Sequence, residues 1–491
     1  VEEKEFNKRI TNATKWSSLT QVVSKIITPL TNMILARILA PEAFGVIATI
    51  TMIISFTDMF TDAGFQKYLV QREFKNVKDK YQSANVAFWT NFILSLFLWA
   101  IIILFNNQIA MLVGNPGLGI VIVIACIQLP LTSFSSIQMA LYRRSFDFKT
   151  LFTVRIIGIV IPFLVTIPLA FFGLSYWSLI IGMISMQIFN AIFLTLKSKW
   201  KPNLFYDFKI LKQMLSFSIW SLIESISIWF TVWIDTLIIG YFLSQYYLGL
   251  YKTSTIMVNS LLALVTAAIV PVLFSTLSRL QNDNNKFNSM YFKFQRLVSV
   301  LVFPMGVGVY LYSDLATQLM LGNQWSEASS IIGIWALTSA IMIVYGQFCS
   351  EVYRAKGKPK LSFLAQVLHL IVLVPTVIIA AKYGFWPLVF ARSWIRTQFV
   401  AVHLIIMKLV MKISIFKTFI NVLPTMISVL VMGLFGYLLI KVSDNVLWSI
   451  ISIFLCALIY FGVLFLFPKM RKEIMSLGKG VLPQKVSKNR S

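Results

Sequence analysis

The chain contains itself twice, and this constrains its fold more than any other feature. Trp16-Ser17, at the head of a long apolar run, returns 204 positions later as Trp220-Ser221. The seven residues Leu39–Gly45 (LAPEAFG) return at the same offset as Leu243–Gly249 (LSQYYLG), with no gap between the two anchors. The register then drifts, as loops of unequal length make it. Leu112-Val113-Gly114-Asn115 is echoed by Met320-Leu321-Gly322-Asn323, and Tyr142-Arg143 by Tyr353-Arg354. A same-direction duplication of this length excludes a solenoid, whose repeats run to roughly 20–50 residues. Each half is expected to be one bundle, and the molecule two bundles facing each other.

The bundles are built for a bilayer. Hydrophobic residues make up 58% of the chain and charged residues 12%, where a soluble domain carries about 25% charge. A helix needs about 20 residues to cross a hydrocarbon core of roughly 30 Å. That length predicts fourteen spans in an all-α polytopic membrane protein. The first repeat holds Trp16–Ala36, Phe44–Phe65, Ser83–Phe105, Leu118–Met139, Leu151–Phe172 and Ser175–Leu196. The second holds Leu215–Tyr241, Leu248–Leu273, Gln295–Tyr312, Ala328–Ser350, Leu361–Ala381 and Phe385–Lys408. Two further spans, Thr418–Ile440 and Val446–Phe467, have no counterpart in the repeat and look appended. The expected organisation is a polar tail (1–15), a six-helix bundle (16–196), a linker (197–214), a second six-helix bundle (215–408), the appended pair (418–467) and a basic tail (468–491). No signal peptide precedes the first long run, so the chain is expected to insert by its own helices.

A net charge of +25 would suggest nucleic acid in a soluble chain. Here its distribution assigns it to the membrane instead. The N-terminal tail, the even-numbered connections and the C-terminal tail hold 35 of the 43 Lys and Arg, counting Arg296 and Lys408 at span ends with the connections. The odd-numbered connections hold three: Arg37, Lys382 and Lys441. Cytoplasmic loops of membrane proteins carry the basic excess. Both termini are therefore expected in the cytoplasm, with short external connections and no folded external domain. The cytoplasmic connection 279–294 contains QNDNNK and is expected to be mobile.

Little in the chain suggests an enzyme. It has no GxxxxGK[ST] loop and no HExxH, and His369 and His403 stand alone within spans. A lone intramembrane histidine is more often a helix–helix hydrogen-bond partner than a ligand. The three cysteines, Cys126, Cys349 and Cys456, lie in apolar runs and read as small core residues, neither a disulfide framework nor a metal site. No cofactor and no metal is expected, with H⁺ or Na⁺ as a coupling ion.

The informative residues are the ionisable ones at membrane depth. Each costs at least roughly 2.5–3.5 kcal/mol at a helix centre, so each must face protein or a watery cavity. Lys25 lies in span one, Asp58 and Asp62 in span two, Glu224 and Asp235 in span seven and Lys252 in span eight, while Arg392 and Arg396 share a face of span twelve. Spans one, two, seven and eight are equivalent pairs in the two repeats, and span one carries a stripe of Ser, Thr, Gln and Asn. Such a stripe lines water or another helix. The competing reading is that these charges staple helices together, as Asp235 with Lys252 or Lys25 with Glu224. Arg155 and Glu351, near span ends, are accounted for by snorkelling.

LARILAPEAFG (Leu35–Gly45), the following Asp62-Ala63-Gly64-Phe65 and Gln71-Arg72-Glu73 carry a resemblance. The chain resembles the Wzx-type polysaccharide-transport flippases of the multidrug/oligosaccharidyl-lipid/polysaccharide exporter superfamily, in the branch like the colanic acid exporters. The resemblance runs from about Trp16 to Lys408. It implies two parallel six-helix repeats around a central cavity lined by spans 1, 2, 7 and 8, rocking between inward- and outward-open states. It implies a cargo of polyprenyl (undecaprenyl) diphosphate-linked oligosaccharide, moved across a bacterial inner membrane, with membrane lipids and polysaccharide polymerase or export machinery as partners and no nucleic acid. For the diphosphate the candidates are Lys25, Lys252, Arg392 and Arg396. For the sugars they are Gln21, Asn32, Trp229, Trp233 and Tyr251. Asp58, Asp62, Glu224 and Asp235 are candidates for ion coupling or for charge pairing. A lipid II flippase and a cation-coupled multidrug exporter of the same superfamily are the neighbouring alternatives. A membrane glycosyltransferase or polymerase is disfavoured, because the external loops are too short to carry a catalytic site.

Overall fold

The proline and the polar residues that interrupt the apolar runs decide where the helices begin. In the computed structural model, which describes residues 2–481 apart from 63 and 444, every regular element is helical among the described residues. The helices are α1 (Glu2–Ile38), α2 (Pro41–Asp62), α3 (Phe65–Gln71), α4 (Val77–Leu104), α5 (Asn106–Leu112), α6 (Gly119–Ala125), α7 (Gln128–Arg144), α8 (Phe148–Phe171), α9 (Tyr176–Lys197), α10 (Phe208–Phe242), α11 (Gln245–Arg279), α12 (Asn284–Leu311), α13 (Ser313–Met320), α14 (Ala328–Met342), α15 (Cys349–Ala355), α16 (Lys360–Lys382), α17 (Phe385–Leu409), α18 (Ile415–Ile420), α19 (Leu423–Ile440), α20 (Val446–Phe465) and α21 (Pro468–Val481). A short 3₁₀ turn (Asn323–Trp325) precedes α14, and a π turn (Ile343–Gln347) follows it.

Thirteen helices among the described residues are long and apolar enough to cross a membrane. The all-α polytopic class expected from the sequence is what the structure has. The remaining expected span, α17, is a 25-residue helix that carries Arg392, Arg396 and Lys408.

α1 continues through the polar tail from Glu2, and its membrane-length stretch starts at Lys15. The span expected at 118–139 is present as Gly119–Arg144, with a break between α6 and α7 at Cys126–Ile127 just ahead of Pro130. Within QNDNNK the Asp283 carboxylate accepts the Lys286 backbone N–H at 3.0 Å, and α12 starts at Asn284. Asx caps of this kind open three other helices that follow basic connections. Asn76 accepts from Asp79 N at 2.8 Å, Asp147 from Thr150 N at 3.1 Å and Asp207 from Lys209 N at 2.7 Å. Each satisfies an amide at a helix start that has no intrahelical partner.

The described helices form two compact units, each described by itself. The first comprises Val1–Leu264, Thr317–Ile331 and Gln366–Ile395. In it α1 packs along α8, α8 on α9, α7 between α4 and α9, and α10 on α2. The repeated heptapeptide has a structural meaning here. A Cβ on Gly45 would lie 2.1 Å from the Gln245 carbonyl oxygen, and a Cβ on Gly249 would lie 1.8 Å from that of Pro41. Position 41 corresponds to 245 and 45 to 249, so the contact is reciprocal. The two starting turns meet backbone to backbone, and only glycine permits that approach. Trp325 Nε1 and Gln324 Nε2 bond Ala36 O beside this contact, the former at 2.6 Å.

The second unit comprises Val265–Ala316, Ile332–Ala365 and Arg396–Ser491. The appended helices are integral to it, since α12 packs on α19 and α19 on α20. Tyr460 Oη donates to Val300 O at 2.7 Å. Arg296, buried midway along α12, meets both carboxylate oxygens of Glu473 on α21, at 3.0 and 2.5 Å. His403 lies 3.2 Å from Tyr353 Oη, which makes it a helix–helix hydrogen-bond partner. All three cysteines are buried and free.

Candidate functional site

Among the described residues, polar cavities and a buried charge cluster lie in the first unit. The cluster lies where α10, α11 and α17 meet. Asp235 accepts from Lys252 Nζ at 3.2 Å, Arg392 Nε at 3.2 Å, Tyr251 Oη at 2.7 Å and the Thr236 backbone N–H at 2.8 Å. Lys252 also donates to Val232 O at 3.1 Å, and Arg392 to Thr231 O at 3.2 Å. Lys252 stands 4.7 Å from the Trp233 ring centroid. Asp235 is 3% exposed, Lys252 8% and Arg392 7%. Two cations thus share one carboxylate out of reach of solvent, and the Asp235–Lys252 pairing weighed from the sequence is present in the structure. A buried ion of this kind persists only when it is paired and its hydrogen bonds are satisfied. Tyr251 is fully buried in the same cluster.

The first cavity, of about 480 Å³, lies along α1 and is also lined by α7, α8 and Ser260 of α11. One face of α1 supplies Ser17, Gln21, Ser24, Lys25 and Thr28, which recur at helical spacing. Arg143 from α7 and Arg155 from α8 complete a three-cation lining. Neither Lys25 nor Arg155 is in an ion pair among the described residues. Arg143 bonds a neutral partner, Gln66 Oε1, at 3.1 Å. Ser24 Oγ is buried with no hydrogen-bond partner among the described residues. Pro29, inside α1, has no N–H to give the Lys25 carbonyl, which leaves one more acceptor at the cavity wall. Chemically the cavity offers three cationic side chains with hydroxyl and amide groups beside them.

The second cavity, of about 430 Å³, is lined by α2, α3, α4, α7 and α10 and holds Asp58, Asp62, Lys67, Asn91, Thr132, Trp229 and Trp233. Trp229 Nε1 donates to Ser55 Oγ at 3.0 Å and so turns its ring along the wall. Asp58 Oδ1 is buried with no hydrogen-bond partner among the described residues. Asp62 has a local task. Its carboxylate accepts the Gln66 backbone N–H at 3.3 Å, and Gly64 at φ 80° makes the turn into α3. The Asp-x-Gly-Phe motif is therefore a helix stop and restart. Gln66 lines the second cavity and Arg143 the first, so their hydrogen bond lies between the two.

The expected site residues are thus dispersed. Lys25 and Gln21 line the cationic cavity, whereas Lys252, Arg392, Tyr251 and Asp235 form the buried cluster. Trp229, Trp233, Asp58 and Asp62 line the acidic cavity. Asn32 is half-buried on α1, one turn past Thr28. Arg396 belongs to the second unit, where it donates to Ser339 Oγ at 2.6 Å and lies 4.3 Å from the Trp335 ring centroid. The Glu224 side chain lies outside the described residues. Arg143 and Arg155 were assigned to a loop and to snorkelling. Their one sequence signal was the Tyr-Arg echo at Tyr142-Arg143. No group of three or more His, Cys, Asp or Glu that could hold a metal ion occurs among the described residues.

Comparison with known proteins adds to this geometry. A family model described as "Polysaccharide biosynthesis protein" matches residues 34–330. The chain is 23% identical over 369 residues to an uncharacterized membrane protein in the cps region of Klebsiella pneumoniae, covering 74% of each. It is 23% identical over 335 residues to the succinoglycan biosynthesis transport protein ExoT of Rhizobium meliloti, covering 68% of this chain and 67% of that one. Its fold matches that of the lipid II flippase MurJ in an inward closed conformation. The TM-score is 0.73 at 16% identity, over 91% of this chain and 97% of the other.

Proposed function

Because this chain belongs to the polysaccharide biosynthesis protein family, we propose that it is a flippase for polyprenyl diphosphate-linked oligosaccharide. It carries the lipid from the cytoplasmic to the outer leaflet by alternating access and makes or breaks no covalent bond in it. The observation that carries this reading is the convergence of Lys25, Arg143 and Arg155 on one half-enclosed cavity. A diphosphate brings several negative charges and acceptor oxygens. Hydrogen bonds to charged groups contribute about 1.5–3 kcal/mol each. Arginine adds a planar fork suited to phosphate oxygens, which a single lysine does not supply. The hydroxyl and amide groups of Ser17, Thr20 and Gln21 beside the cations suit the first sugar. The basic tails and even-numbered connections support an inner-membrane orientation with both termini in the cytoplasm. Relatives that work in polysaccharide synthesis support a place beside a polymerase or export machine.

Coupling to H⁺ or Na⁺ belongs to the same proposal. Asp58 is the group we assign to it, because its Oδ1 is buried without a hydrogen-bond partner among the described residues, beside Asn91 and Thr132. Asp235 is spoken for by its two cations.

The test is transfer of a fluorescent polyprenyl diphosphate oligosaccharide between leaflets in proteoliposomes, with efflux of a cationic dye measured in parallel. Lipid transfer without dye efflux is the expected result. Dye efflux driven by a proton or sodium gradient, without lipid transfer, would replace this reading with that of a drug exporter.

A further inference from the structure

Beyond the cationic cavity, the same pair of helices carries a second recess of opposite character. It is a groove of about 380 Å³ lined by Ile27, Leu30, Met33, Ile34 and Phe163, with Thr31 and Arg37. Thr31 Oγ1 is spent on the Ile27 carbonyl at 3.0 Å. Arg37, at the far end, donates to Leu319 O at 2.9 Å. Between these points the groove offers hydrocarbon alone.

The two recesses abut. On α1 the cationic cavity takes residues from Ser17 to Pro29, and the groove takes residues from Ile27 to Arg37. On α8 the cavity takes Phe148 to Arg155, and the groove takes Phe163, two turns further on. The two helices therefore run in the same direction, and the Trp16 and Phe152 rings, 4.9 Å apart, pack them together at the cavity end. At 1.5 Å per residue, Lys25 and Arg37 are separated by about 18 Å along α1. That is close to the depth of one leaflet, half of a core of roughly 30 Å. The seam is thus an amphiphile in negative, with a receptor for anionic and hydroxylated groups at one end and an apolar trough leading away from it.

We propose that this groove seats the isoprenoid chain of the same lipid whose diphosphate occupies the cationic cavity, so that cargo loads along the α1–α8 seam. The inference rests on the flippase reading and adds the place of the lipid tail. A hydrocarbon chain gains little by leaving the bilayer for an apolar trough, because lipid tails are as apolar as leucine. The groove therefore acts by position. It holds the chain in line while the charged head is gripped, and it accepts a chain long enough to reach from the cavity to Leu30 and Ile34.

Filling the groove tests this. Leu30→Trp and Ile34→Trp should slow transfer of the undecaprenyl diphosphate oligosaccharide roughly tenfold. Transfer of a dimethylallyl analogue, whose five-carbon chain is too short to reach Leu30, should stay at the wild-type rate, and Lys25→Gln should slow both. Equal loss for the two chain lengths, or no loss for either, would overturn the groove and leave the flippase reading intact. A wild type that transfers neither would overturn the flippase reading itself. Because a tryptophan variant can misfold, wild-type protein should also be photolysed with an undecaprenyl diphosphate bearing a diazirine on its chain. Adducts are expected on α1 beyond Ile27 and around Phe163, and they should persist in excess phosphatidylglycerol. Adducts spread over all lipid-facing helices, or abolished by phosphatidylglycerol, would mean that bulk acyl chains fill the groove.

Discussion

Asp235→Asn is the substitution whose consequences the structure fixes most tightly. The carboxylate is 3% exposed and holds Lys252 and Arg392, themselves 8% and 7% exposed, each through a 3.2 Å contact. The amide keeps the shape and one acceptor oxygen but removes the only anion in the cluster among the described residues. Two like charges are then left together in a membrane-buried site. Removing one partner of a buried ion pair costs about 3–5 kcal/mol, and this case lies toward the upper end because two cations depend on one anion. Lys252→Met behaves differently. It leaves Asp235 paired with Arg392 and still bonded by Tyr251 and Thr236, so the cluster becomes neutral. Its cost should be about 1–2 kcal/mol, the worth of one charge-assisted hydrogen bond less the relief of the excess charge. Replacing all three by apolar residues of similar volume should recover most of the loss. The assay is the melting midpoint of each variant in detergent, followed by monodispersity on size exclusion, with lipid transfer measured well below melting. The expected order of loss is Asp235→Asn, then Lys252→Met, then the triple variant. If Asp235→Asn melted with the wild type, the cluster would not be a structural ion network. If Lys252→Met kept its melting point and lost transfer, Lys252 would be acting on the cargo.

Further outcomes follow from other contacts. Gly45→Ala and Gly249→Ala each drive a methyl group to about 2 Å from a backbone carbonyl. Each should lower the melting midpoint through overpacking worth about 1–3 kcal/mol, and Leu248→Ile beside them should cost far less. Glu473→Gln removes the partner that pins α21 to Arg296. Trypsin should then cut at Lys469, Arg471 and Lys472 several-fold faster, whereas an unchanged cleavage rate would mean that α21 is held by packing alone. The Asp283 carboxylate, exposed at the head of α12, is held below the ordinary carboxylate range chiefly by the Lys286 backbone N–H. A depressed value means that its cap is in force above the unfolded pKa of about 4 and is lost as pH falls through the folded value. Amide exchange at Lys286, corrected for its intrinsic pH dependence, should therefore lose protection only at strongly acidic pH.

The residues differ in how openly the sequence displayed their roles. The polar face of α1 was readable because Ser17, Gln21, Ser24, Lys25 and Thr28 recur at helical spacing within an apolar run. That pattern has no soluble-protein explanation at membrane depth. The all-α architecture followed from the same arithmetic of length and hydropathy. Depth alone, however, could not separate Lys25 from Lys252. The first faces a cavity and the second an aspartate, and what separates them is Arg392, 157 positions from Asp235, arriving on another helix. Arg143 and Arg155 were overlooked as cavity residues for the converse reason. Each lies near a span end, where snorkelling is the ordinary account, and both line the cavity along α1. The heptapeptide repeat was visible at once, but its reciprocal glycine contact was not, because nothing in a sequence says that two equivalent turns touch. The Asp-x-Gly-Phe motif marked Asp62 as special without revealing that its task is to cap α3.

The most direct measurement of the central claim is lipid transfer by Lys25→Gln, Arg143→Gln and Arg155→Gln, each beside Arg396→Gln, with folding confirmed by melting. The cavity account predicts a loss of roughly tenfold to a hundredfold for each of the first three, as removal of one charged hydrogen-bond donor requires. It predicts near wild-type transfer for Arg396→Gln, which lies in the other unit against Ser339 and Trp335. Full transfer by all three cavity variants would contradict the account, and a selective loss in Arg396→Gln would relocate the site.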